Sequence, residues 1–158
     1  MAQAPGITDE LKGMIGMMTE PGIMEVERGA IRRYADAIDD PNPLYRDVEH
    51  AKNSRYGELI APPGFFGWPV KAATMGGLTM FGGPLARAGF PRILDGGSEY
   101  EFFIPIRAGD TLTSYAKVAD ITLRGGRTGN FVMITLETTY LNQNGDVVAK
   151  ARSNLLGR

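Results

Sequence analysis

The chain has 158 residues, 43% of them hydrophobic and 22% charged, with a net charge of −1 from 17 basic and 18 acidic residues. That length suits one domain able to bury about two thirds of its unfolded surface, so a core forms without staples. The charge balance gives no footing for nucleic acid or an anionic membrane. The absence of cysteine excludes disulfides, thiolate metal sites and a cysteine nucleophile.

Residues 1–22 read as an N-terminal arm with a short helix around Met14, Ile15, Met17 and Met18, stopped by Pro21-Gly22. This arm lacks an apolar core of signal-peptide length. No stretch reaches the roughly 20 apolar residues of a membrane span. A cytoplasmic location is therefore expected. Residues 23–158 form the expected single domain.

Residues 23–28 alternate like a short strand. A helix over 29–38 puts Ile31, Tyr34, Ala35 and Ile38 on one stripe and ends before Pro41. Residues 39–64 hold Pro41, Pro43, Pro62 and Pro63, and read as a structured loop with a short helix near 48–52. Long ordered loops inside compact domains usually carry function. An apolar helix follows over 64–74, with Phe65, Phe66, Trp68 and Val70. Residues 75–92, rich in glycine and proline, read as a loop.

The last third reads as a β-meander with strands at 99–106, 111–123, 130–141 and 147–156. Glycines in 124–127 and at Asn144-Gly145 supply the hairpin turns. Val132, Ile134, Leu136 and Tyr140 share one face of the third strand. Val147, Ala149, Ala151 and Leu155 face one way in the fourth, and Lys150, Arg152 and Asn154 the other. One apolar and one wet face is the mark of an antiparallel sheet. These elements predict an α+β chain, an antiparallel sheet wrapped around a long apolar helix.

Asp39-Asp40-Pro41-Asn42-Pro43-Leu44-Tyr45-Arg46-Asp47 and Ile60-Ala61-Pro62-Pro63-Gly64 carry a resemblance. They are similar to the G-D-x-N-P-x-H-x-D and I-A-H-G-M elements of MaoC-like (R)-specific enoyl-CoA hydratases and 3-hydroxyacyl dehydratases. Ile104-Pro105-Ile106-Arg107-Ala108-Gly109-Asp110 resembles the same family's P-V-x-x-G-D element. The pairing of Asn-Pro with Ala-Pro-Pro looks closest to the N-terminal MaoC-like, fatty-acid-synthase-type dehydratase branch.

The resemblance implies a hot-dog fold and the addition of water to a 2-enoyl thioester, or its removal. A carboxylate and an imidazole handle the water and an amide stabilises the thioester oxygen. Carried over by position, Asp40 is the catalytic aspartate and Asn42 shapes the loop. Tyr45 replaces the catalytic histidine; a phenol with an ordinary pKa near 10 is a poor base at neutral pH. Pro63 falls where the family's glycine amide serves the oxyanion, and proline has no N–H. The candidate catalytic residues are thus Asp40, Asn42 and Tyr45. The candidate substrate-binding residues are Pro63, Gly64, Phe65 and Trp68.

Each of these residues also has a plain structural reading: Asp40 as a loop cap, Tyr45 as core filler, Phe65 and Trp68 as core. His50, the single histidine, reads as a surface residue or a relocated base. Arg87, Arg92, Arg124 and Arg127 are candidates to meet phosphates, or are solvated surface. No metal or cofactor is expected. The expected partner is an acyl-CoA or acyl-carrier-protein thioester. The expected assembly is a homodimer, or a heterodimer with another MaoC-like subunit that supplies the histidine. A hot-dog thioesterase and a non-catalytic acyl-CoA or acyl-carrier-protein binding protein are the alternatives.

Overall fold

A computed structural model describes residues 6–65, 71–127 and 129–158, with the backbone alone for 71–78. Among the described residues five antiparallel strands make one sheet in the order β1-β3-β4-β5-β2: β1 Gly22–Glu25, β2 Ile93–Phe102, β3 Thr111–Gly126, β4 Gly129–Leu141 and β5 Val147–Gly157. The helices are α1 Asp9–Gly13, α2 Arg28–Ala37, α3 Pro43–Arg46, α4 Val48–Lys52 and α5 Lys71–Arg87. This is the hot-dog plan, a curled sheet around α5.

The face read in β4 matches the burial: Val132, Ile134, Leu136 and Tyr140 are all buried. In β5 Ala149, Ala151 and Leu155 are buried and Lys150 and Arg152 exposed, but Val147 is only half-buried and Val148 is buried beside it, at the irregular register between Tyr140 and Leu141. Asn142 ties the β4–β5 turn, its side-chain oxygen accepting the Asn144 and Asp146 amides at 2.9 Å each.

Phe81 and Leu85 of α5, both fully buried, pack with Val118, Val132 and Ile134. The loop expected over 75–92 is therefore wrong as far as Arg87, and the helix expected over 64–74 is described only from Lys71. Gly82, Gly83 and Pro84 are poor helix formers, but burial of Phe81 and Leu85 contributes roughly 1.5–3 kcal/mol each and overrides them. Pro84 lies in the last full turn, and Ala88 still donates to its carbonyl at 3.0 Å.

Two more expectations are corrected. The arm's helix is α1, four to five residues earlier than expected. Thr8 caps it by accepting the Leu11 amide at 3.3 Å. Met17 and Met18 are instead extended along β3, with backbone bonds from Gly16 and Thr19 to Val118 and Ala116. The strand expected at 99–106 is β2, beginning at Ile93: a bulge between Asp95 and Ser98 absorbs Gly96-Gly97. A side chain at Gly96 would meet the Asn154 carbonyl at 2.9 Å. Among the described residues no helix is long and apolar enough to cross a membrane.

A second cluster joins Ile31 and Ala35 of α2 to Tyr45, Leu59, Phe65, Tyr140 and Ala149. It seats α2 to α4 on the sheet and so positions the loop that carries the motif.

Two stability measurements check this packing. Gly157 lies under Leu85, so that a Cβ there would meet Leu85 Cδ2 at 2.6 Å. Gly157→Ala is expected to cost about 1–3 kcal/mol and Leu85→Ala about 2–5 kcal/mol. In urea unfolding the double variant should lose less than the sum, because the small side chain relieves the clash. Asp39 holds a left-handed backbone, φ 53°. Asp39→Ala should cost up to about 1 kcal/mol and Asp39→Gly less, since aspartate tolerates that region better than alanine and glycine best of all.

Candidate functional site

The loop after α2 is built by a sequence of local caps. Asp39 donates its amide to Asp36 O at 3.1 Å and Asp40 to Ala35 O at 2.9 Å, the bonding pattern of a Schellman motif with Asp39 as the left-handed residue. Asp39 stands where the resemblance has glycine. The Asp40 carboxylate then accepts the Asn42 amide at 3.0 Å, while its carbonyl accepts Arg46 Nε at 2.7 Å. Asn42 caps α3 by accepting the Leu44 amide at 3.0 Å. Asp47 caps α4 by accepting the His50 amide at 3.0 Å.

These bonds put Tyr45 on the inner side of α3, buried. Its pKa is pushed up, first by burial and then by the Asp40 carboxylate. A hydrogen bond with the Asn42 side chain pulls the other way, and Tyr56 adds a further rise. Asp40 and Asn42 thus act on the Tyr45 phenol, and the three form one group.

The second motif element is a turn. Phe65 donates its amide to the Pro62 carbonyl at 3.1 Å, and Gly64 has φ +87°. This is a type II turn with Pro63 and Gly64 at its centre. A side chain at Gly64 would clash, its Cβ 2.8 Å from the Tyr34 hydroxyl. The turn therefore needs glycine for both its backbone and its space. Pro62 and Pro63 have no amide and the Phe65 amide closes the turn, so Gly64 holds the one amide left in it.

The third element straps across the second. Ala61 donates to Ile106 O at 2.8 Å and Ala108 to Leu59 O at 2.9 Å. Arg107 Nε reaches the Tyr56 carbonyl at 3.1 Å, and Asp110 Oδ2 accepts the Arg107 amide at 2.8 Å. Between these elements lies a cleft of about 300 Å³, at the lower end of ligand-pocket size. Tyr45, Pro62, Pro63, Phe102, Phe103 and Ile106 are among its lining residues. Phe102 and Phe103 stand half exposed at it, and the Lys150 ammonium lies 6.0 Å from the Phe103 ring.

Of the sequence candidates, Tyr45 and Pro63 line this cleft. Asp40 and Asn42 flank Tyr45 without lining it. Gly64 forms the adjoining turn. Phe65 is core, buried edge-on against Tyr34 with ring centroids 5.8 Å apart. Trp68 lies outside the described residues. His50 is exposed on α4 and does not line the cleft. Arg87 is held by Glu10 through two bonds of 2.6 and 3.1 Å. The lining by Phe102 and Phe103 was not singled out from the sequence. Its signal was the Ile104–Asp110 element directly after them.

The model of the FAS1-like dehydratase domain region matches residues 13–151 of the chain. A UPF0336 protein of Thermobifida fusca is 36% identical over 138 residues, covering 87% of this chain and 86% of that one. A MaoC-like dehydratase from Rhodospirillum rubrum superposes with a TM-score of 0.63 at 30% identity, covering 90% of this chain and 91% of that chain. The HadBC (3R-hydroxyacyl-ACP dehydratase) complex of Mycobacterium tuberculosis, C-terminally truncated, gives a TM-score of 0.74 at 24% identity over 96% of this chain and 99% of that one. With its hot-dog sheet and the three elements gathered around one apolar cleft, the chain belongs to the FAS1-like, MaoC-like dehydratase family.

Proposed function

We propose that the chain is the acyl-accommodating subunit of a hydratase or dehydratase for 2-enoyl and 3-hydroxyacyl thioesters, on CoA or a carrier protein. In this reading a second MaoC-like subunit supplies the aspartate–histidine pair. The observation that carries the proposal is Tyr45. By the resemblance of its loop it stands for the family's imidazole, and burial together with the Asp40 carboxylate keeps its phenol protonated. A protonated phenol donates a hydrogen bond but takes no proton from water. Asp40, already accepting the Asn42 amide, orients the loop and Tyr45. The cleft's apolar lining suits an acyl chain, and Gly64 N–H is the amide left for a thioester oxygen. The HadBC neighbour is by name a complex, which supports pairing without fixing the partner.

Hydration adds hydroxide to C3 and a proton to C2 of the enoyl thioester; dehydration reverses both. Without an imidazole the chain forgoes roughly 10²–10⁴-fold of acid–base catalysis. Without the Pro63 amide it lacks a donor whose loss typically costs about 2.7–4 kcal/mol. The purified chain is therefore expected to hydrate crotonyl-CoA far below the ordinary range of roughly 1–10³ s⁻¹, and Tyr45→His alone to recover little. Addition of a MaoC-like subunit with an intact G-D-x-N-P-x-H element should restore the rate, with Asp40→Ala in this chain then mattering little. Turnover by the lone chain in the ordinary range would overturn the proposal.

A pH series tests the protonation of Tyr45 directly. The phenols of Tyr45, Tyr100 and Tyr140 are all raised, chiefly by burial. The folded chain keeps these protons where the unfolded chain releases them. Their contribution is therefore complete below the ordinary phenol value near 10 and is lost as pH rises past it. Urea midpoints should hold steady to about pH 9 and fall by about pH 11, and Tyr45→Phe should make the fall shallower.

A further inference from the structure

The Pro63-Gly64 turn beside the cleft offers a bound group one amide, that of Gly64. Sites that hold an acyl oxygen gather several donors, and side-chain hydroxyls serve there as amides do. A hydroxyl stands next to this amide. Tyr34 Oη lies 2.8 Å from the point where a Cβ on Gly64 would be, and Tyr34 Cζ 3.9 Å from it. Standard backbone dimensions then put Oη within about 5 Å of the Gly64 nitrogen. Two donors each about 3 Å from one oxygen stand up to about 6 Å apart, so this spacing lets both meet the same oxygen. The absence of a side chain at Gly64 is what lets the hydroxyl come so close to the turn.

Core packing accounts for the Tyr34 ring but not for its hydroxyl. The ring lies edge-on to Phe65 and packs against the cluster that seats α2 on the sheet. Those contacts fix the ring, so the O–H is held in place before any ligand arrives. Among the described residues no buried side-chain oxygen lacks a hydrogen-bond partner. The Tyr34 hydroxyl bonds to none of those residues and belongs to a half-buried side chain. It is therefore accessible and free to donate. Pro62 and Pro63 line the cleft and lead straight into the Gly64 turn, so a ligand in the cleft passes close to both donors.

We propose that Tyr34 is a thioester-binding residue, whose hydroxyl joins the Gly64 amide in holding the carbonyl oxygen of the acyl thioester. The assignment rests on the reading of this chain as a subunit that accommodates acyl thioesters. A bond already made to the bound ground state holds the substrate without speeding the chemical step, so the lone chain stays slow. The test uses butyryl-CoA, which has the carbonyl but no double bond to hydrate, isotopically labelled at that carbonyl. Infrared difference spectra and calorimetric Kd values are taken for wild type and for Tyr34→Phe, which keeps the ring against Phe65. Circular dichroism checks the fold. Wild type should lower the carbonyl stretch below its value in water. Tyr34→Phe should lose part of that shift and bind about two- to tenfold more weakly. S-Butyl-CoA, a thioether without the carbonyl, should bind both proteins equally. An unmoved stretch in Tyr34→Phe, or equal weakening for thioester and thioether, overturns the proposal. Should the variant not fold, the wild-type band decides: a stretch lower than in water supports the proposal and one no lower overturns it. Butyryl-CoA that fails to bind also overturns it. Crotonyl-CoA hydration with a catalytic subunit is read separately. If that pair works while the infrared result fails, the functional reading stands and Tyr34 drops out of it.

Discussion

The cleft depends on two backbone hydrogen bonds, Ala61 to Ile106 and Ala108 to Leu59. They tie two stretches more than forty residues apart in the chain. One ends in the Pro63-Gly64 turn, and the other leads from β2 into β3. Because both bonds are main-chain, they depend little on the side chains of the strap, and those side chains are free to line the cavity. Ile60 adds a third tie, its amide reaching Leu44 O at 3.2 Å, which fixes the helix bearing Tyr45 to the same strap. All three motif elements are thus held by the backbone, and the chemistry rests on whichever side chains the backbone presents.

That separation lets the side chains at the cleft vary while the backbone frame is kept. Asp39, Asp40, Asn42 and Asp47 each hold a turn or cap a helix. Their local roles need no substrate. A change of side chain at Tyr45 would leave those caps intact, and the ring present there fills the core beside Leu59 and Phe65. A site of this kind can change its cleft side chains at little cost to folding.

The meander was legible because period-two alternation with glycine turns has few other readings, and α2 because a 3.6-residue stripe and a proline stop agree. The helix α5 was not, since Gly82, Gly83 and Pro84 act as breakers in isolation. Only the sheet, remote in sequence, reveals that Phe81 and Leu85 are buried on both sides of them. β2 was misplaced for a related reason: Gly96-Gly97 reads as a turn, yet the bulge carries both glycines within a strand. Within the site, the family resemblance pointed to Tyr45 and Pro63, and both line the cleft, but the spacing of residues carried less. It could not tell that Phe65 turns into the core while Phe102 and Phe103 turn toward the cavity, because strand ends carry no periodic signal.

Asp39 has a consequence for how such chains are recognised. The first position of the motif is usually written as a residue, glycine, but what this fold uses there is a dihedral angle. At φ 53° the position accepts glycine, asparagine or aspartate, and the two Schellman bonds form with any of them. A pattern spelled in amino acids would pass over chains that satisfy the geometry with another letter. Spelled as a left-handed residue followed by an aspartate and a capping asparagine, it would gather them.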